Sequence, residues 1–90
     1  MRAFDYLNSL AAAGQLIPLY KAGVVTVRCY AQRELVLYYT RLTELATLAD
    51  DPRECAERTA RDCKVDLSTV YRAIRAMSVE VEAEPLGMVA

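Results

Sequence analysis

The sequence predicts an all-α protein, a small bundle of about five helices whose last two are joined by a tight turn. Three observations carry this. Apolar residues recur at three- and four-residue spacing in several separate stretches. Helix-ending and helix-starting residues punctuate those stretches, namely Gly14, Pro18, Gly23, Thr26 and Asp50-Asp51-Pro52. The alternating stretch SVEVEAEPLGMVA, from Ser78 on, is short and broken by Pro85 and Gly87.

The elements follow in order. Residues 2–13 read as a helix with the stripe Phe4, Leu7, Leu10 and Ala11, stopped at Gly14. Residues 17–23 read as a short helix, with Pro18 in its first turn and Gly23 at its C-terminal end. Val24 and Val25 form an apolar corner, and Thr26 can cap the next helix. That helix is expected over residues 26–49 as the longest. Its seam is Ala31, Leu35, Tyr38, Leu42, Leu45 and Ala49, with Val36, Leu37 and Tyr39 on other faces. A helix apolar nearly all round is central to a fold or shared with a partner, so Leu35, Tyr38, Tyr39 and Leu42 are the candidate dimer interface.

Asp51 suits an N-cap, Pro52 the first helical position and Glu54 the first turn. The helix Pro52–Cys63 turns Cys55, Ala56, Thr59, Ala60 and Cys63 inward, and its small residues allow a close approach. Arg53, Arg58 and Arg61 face outward, with Glu54 and Arg58 placed to pair one turn apart. A turn at Lys64-Val65-Asp66 follows, with Val65 plugging the corner and Asp66 able to cap the last helix. In that helix Leu67, Val70, Ala73, Ile74 and Met77 make an apolar face, opposite Ser68, Arg72 and Arg75, with Tyr71 at the edge.

The stretch TARDCKVDLSTVYRAIR, Thr59 to Arg75, resembles the helix-turn-helix of phage Cro and repressor proteins. It is also similar to the recognition helices of resolvases and of phage Mor-like activators. In that pattern an Ala precedes a Gly by four residues and an Ile or Val by ten; here Ala60 is followed by Lys64 and Val70, and Ala73-Ile74 close the pattern. Lys64 departs from it, since the Gly supplies a positive φ at a strain of roughly 1 kcal/mol or more for other residues. The resemblance implies a bundle ending in a helix-turn-helix over residues 52–78 and a recognition helix from about Leu67. It implies double-stranded DNA as partner, contacted by Ser68, Thr69, Tyr71, Arg72 and Arg75, with Arg53 and Arg61 as candidate phosphate contacts. A second stretch, LYKAGVVTVRCYAQREL, mimics the motif, but Pro18 leaves its first helix barely one turn long, so it is set aside as a decoy.

Composition sets the bounds. Ninety residues make one domain, and an apolar content of 54% is high for that size, so some apolar surface is expected at a homodimer interface. No run of eighteen apolar residues exists, and the N-terminus lacks a signal-like core, so a cytoplasmic protein without membrane contact is expected. Cys29, Cys55 and Cys63 form no CxxC, which speaks against a disulfide frame or zinc site. The absence of His and of nucleophile or phosphate-loop motifs makes an enzyme unexpected, and no cofactor or metal is implied.

Net charge is −1, but its distribution is uneven. Residues 53–78 carry Arg53, Arg58, Arg61, Lys64, Arg72 and Arg75 against Glu54, Glu57, Asp62 and Asp66, and residues 79–90 carry Glu80, Glu82 and Glu84 with no base. The expectation is a helical DNA-binding domain over 1–78 and an acidic, flexible tail over 79–90, which could instead pair as a strand with a second copy. The expected function is a sequence-specific regulator of phage or mobile-element type. The alternatives are a helical protein-interaction module without DNA and a DNA-binding relative of recombinases.

Overall fold

The computed structural model describes residues 1–45, 48 and 50–81 of the chain. Its helices are α1 (Ala3–Ala12), α2 (Leu16–Lys21), α3 (Val27–Thr43), α4 (Pro52–Cys63) and α5 (Leu67–Met77). The fold is all-α, with no strand among the described residues.

Three of these helices end the same way. After α1, Gly14 takes φ 72°, and the Gly14 and Gln15 amides return to the Ala11 and Leu10 carbonyls at 3.0 and 2.8 Å. After α2, Gly23 takes φ 81°, and the Gly23 and Val24 amides return to Tyr20 and Leu19, both at 3.0 Å. After α4, Lys64 takes φ 58° and ψ 46°, and the Lys64 and Val65 amides return to Arg61 and Ala60 at 3.4 and 3.0 Å. Each is a left-handed residue whose neighbouring amides satisfy carbonyls that the last turn leaves open. Lys64 holds the position in which the other two ends use glycine.

N-termini are less uniform. Thr26 caps α3 by accepting the Cys29 amide at 3.1 Å, and Asp51 caps α4 by accepting the Glu54 amide at 3.0 Å, with Pro52 next. Asp66 stands at the N-cap of α5 in extended conformation, but its side chain takes no cap bond, contrary to expectation.

α3 stops at Thr43, short of the expected residue 49. The Thr43 hydroxyl donates to the Thr40 carbonyl at 2.7 Å, and the Glu44 and Leu45 amides bond three residues back to Arg41 and Leu42. This tightened last turn ends the helix. Leu45 is exposed outside it, Leu48 is buried in the link to α4, and Ala49 lies outside the described residues. The Leu48 carbonyl accepts from the buried Cys55 thiol at 3.3 Å, which ties the link onto α4.

α3 is the hub and packs against α1, α4 and α5. One core cluster joins Phe4 and Leu7 of α1, Leu16 of α2, Val25 of the α2–α3 link, Leu35 and Val36 of α3, and Ala73 and Met77 of α5. A second joins Ala56 and Ala60 of α4 to Val70 of α5. Ala56 and Val70 are fully buried, as is Thr59, whose hydroxyl donates to the Cys55 carbonyl at 2.8 Å. Small side chains on α4 let α5 approach closely, and Val70 fills the contact.

The start of the expected tail is not free. The Ala3 amide donates to the Val79 carbonyl at 2.8 Å and the Val81 amide to the Met1 carbonyl at 2.9 Å, bridging Arg2 and Glu80. The N-terminal ammonium meets Glu80 at 3.0 Å. Residues 79–81 therefore close onto residues 1–3 of the same chain. The rest of the expected tail, residues 82–90, lies outside the described residues.

Candidate nucleic-acid interface

α5 divides cleanly. Val70, Ala73 and Met77 are buried, Leu67 and Ile74 half-buried, and Ser68, Tyr71, Arg72 and Arg75 exposed. At roughly 100° per residue, Ser68 and Arg75 lie within about 20° of each other at the centre of the exposed arc. Arg72 flanks them on the side of Thr69, and Tyr71 flanks them on the other. The turn that presents this face has only Lys64, Val65 and Asp66 between α4 and α5. Val65 is half-buried against both core clusters and plugs the corner.

The charge on this face is unmatched. α5 contains no acidic residue. Among the described residues Arg28, Arg61, Arg72 and Arg75 form no ion pair. Arg53, in contrast, meets Glu57 at 3.0 Å, and Arg58 approaches Glu54 at 3.9 Å. The hydrogen bond that Arg53 donates to Glu57 is the main cause that raises the Arg53 pKa above its ordinary value; the Coulomb influence of Glu57 and then Tyr71 adds to it. Such an exposed pair is weak and screened by salt, so Arg53 can exchange Glu57 for another anion.

On the other side, α3 meets α5 along a shallow cleft of about 200 Å³. It is lined by Arg28, Ala31, Gln32 and Leu35 of α3 and by Thr69 and Arg72 of α5. Arg28 belongs to the stretch set aside as a decoy, and the fold brings it beside Arg72. Sequence reasoning missed Arg28 and Gln32 as members of this surface. Their one-turn spacing at the start of α3 was visible, but the α3–α5 contact was not.

No protein family, curated protein or solved structure matches this chain.

The side chains expected at a dimer seam are otherwise engaged. Leu35 is buried in the core of this chain. The Tyr38 hydroxyl donates to Asp62 of α4, and this hydrogen bond is the first cause that raises the phenol pKa. Tyr39 packs on the Ala56, Ala60 and Val70 cluster, and burial raises its pKa. Leu42 is half-buried. α3 is apolar on several faces because three helices of its own chain surround it. The exposed large apolar side chains lie elsewhere, among them Ile17, Val24 and Val27. Nearby, Tyr6, Leu7, Leu10, Leu19, Val24 and Val25 line an apolar cleft of about 440 Å³. No helix of the described residues is long and apolar enough to cross a membrane.

Proposed function

We propose that this chain is a sequence-specific DNA-binding protein, a transcriptional regulator of phage or mobile-element type, with α5 as the helix that enters the major groove. The observation that carries this is the exposed face of α5. It presents a hydroxyl, a phenol and two arginines without an acidic partner, on a helix whose other side is locked into the core. Major-groove readout asks for such a division: donors outward, and a rigid apolar back. The helix, tight turn and helix of α4 and α5, with Lys64 left-handed between them, support the likeness to a helix-turn-helix.

In this reading Ser68 and Arg75, central on the face, meet base edges, and Arg75 has the fork that fits guanine O6 and N7. Tyr71, Arg53 and Arg61 flank them toward α4 and suit phosphates. A homodimer would set two copies of α5 on half-sites about one DNA turn apart, roughly 34–36 Å. No cofactor is needed.

The test is selection from a random duplex pool at low and moderate salt, followed by sequencing. Enrichment of a palindrome with salt-sensitive affinity is expected. Arg75→Ala should then lose about 1–3 kcal/mol on the selected site and relax one base position. A pool with no enrichment and no salt-sensitive binding overturns the proposal. The second reading, a protein-interaction module, then takes its place. It is favoured by the apolar cleft beside Val24 and by the near-neutral net charge. A DNA-binding relative of recombinases would share the α5 contacts and differ only in what the bound site is used for.

A further inference from the structure

The cleft between α3 and α5 is lined by two arginines and no carboxylate. The guanidiniums are those of Arg28 and Arg72, and the Gln32 amide and the Thr69 hydroxyl line the cleft with them. Neither arginine has an ion-pair partner among the described residues. Two like charges beside one small volume repel each other, and an anion between them would turn that repulsion into two charge-assisted contacts. The volume, about 200 Å³, is several times that of one water molecule.

Helix geometry adds to the charge. Arg28 is the second residue of α3 and Thr69 the third of α5, so the first turns of both helices border the cleft. Helix N-termini carry partial positive charge. Leu35 and Ala31 supply apolar wall, which lowers the local polarity and strengthens contacts to an anion. Arg72 also sits off the centre of the exposed arc of α5, toward this cleft.

We propose that the Arg28–Gln32–Thr69–Arg72 cleft grips one backbone phosphate of bound duplex DNA. Arg72 is then a phosphate contact, and base reading falls to Ser68 and Arg75. The inference rests on the DNA-binding reading above and deepens it by assigning α3, outside the α4–α5 pair, to the interface. A phosphate contact carries no sequence information; it fixes register and raises salt dependence.

The experiment measures full-chain affinity against salt concentration for Arg28→Gln, on the selected site and on a random duplex. Arg28 is exposed, and thermal unfolding checks that the variant stays folded. The slope of log affinity against log salt should shrink by about one, with the same fold loss on both duplexes. Arg41→Gln, an exposed arginine near the other end of α3, should leave the slope unchanged. A neutral methylphosphonate placed at single positions of the site gives a second readout. Wild-type protein should lose affinity at one phosphate per half-site, and Arg28→Gln should lose nothing further there.

An unchanged slope for Arg28→Gln overturns the clamp while leaving DNA binding intact. So does an equal change for Arg41→Gln, which would show a general field effect, or a loss confined to the selected site, which would make Arg28 a base contact. Wild-type protein with no salt-sensitive duplex binding overturns the DNA reading and the clamp with it.

Discussion

The α2–α3 and α4–α5 junctions are built from the same parts and end with different surfaces. In each, a left-handed residue closes the first helix, a valine turns inward, and a polar residue stands at the N-cap of the second. Gly23, Val25 and Thr26 do this in one, Lys64, Val65 and Asp66 in the other. The first joins a helix of six residues to α3; the second joins one of twelve to α5. What separates them is the helix that follows. α3 is packed by α1, α4 and α5, and its first turn borders a cleft shared with α5. α5 keeps an exposed face whose two arginines, Arg72 and Arg75, form no ion pair among the described residues. Turn chemistry alone therefore does not distinguish the two junctions; the face left over after packing does.

The largest expected contrast tests that packing. Ala60 is buried at the α4–α5 contact, and Ala22 is exposed at the end of α2. Ala60→Leu should destabilise by about 1–3 kcal/mol through overpacking, whereas Ala22→Leu should stay within about 0.5 kcal/mol. Denaturant midpoints of the two variants measure this. Equal effects would mean that the α4–α5 approach is no tighter than the α2–α3 junction.

The left-handed positions give a second contrast, of opposite sign. Gly23 has open space around an added Cβ, so Gly23→Ala is opposed only by its φ of 81°. It should lose roughly 1 kcal/mol. Lys64→Gly removes the same strain from the other junction and should gain up to about 1 kcal/mol, less what glycine loses in the unfolded chain. Thermal unfolding of both variants reads the signs. A loss for Lys64→Gly would show that the Lys64 side chain makes a contribution larger than its backbone strain.

These junctions also show what the sequence made legible. Asp51-Pro52, the small residues of α4 and the apolar face of α5 are local patterns, and each predicts its element with the right partner. Lys64 was legible as a strained turn because Ala60 and Val70 framed it. Three features were not, because they depend on contacts between distant segments or on side-chain choice. Arg28 and Arg72 line one cleft only once α3 lies on α5. Val79–Val81 pair with Met1–Ala3 only once α1 and α5 are neighbours. α3 ends at Thr43 because a threonine hydroxyl turns back to Thr40, a choice that periodicity does not encode. The apolar breadth of α3 predicted a shared helix, and most of the sharing is internal.

The smallest contrast lies in the caps, where residue type and observed bonding disagree. Asp ranks above Thr as an N-cap on propensity, so sequence alone assigns the stronger cap to Asp66. The geometry reverses this: the Thr26 hydroxyl holds the Cys29 amide at 3.1 Å, and the Asp66 carboxylate holds none. Thr26→Ala should therefore lose about 0.5–1 kcal/mol, and Asp66→Ala should change stability by less than about 0.5 kcal/mol. Asp66 also sits at the start of α5 as the negative charge nearest its first turn, where the helix end favours anions. On the DNA-binding proposal, Asp66→Ala should strengthen duplex binding slightly by opening that end to phosphate, without altering the preferred site. A loss of stability for Asp66→Ala equal to that for Thr26→Ala would show that its carboxylate caps α5 in solution. The α5 end would then have no amide to offer, and phosphate contact would fall to its side chains alone.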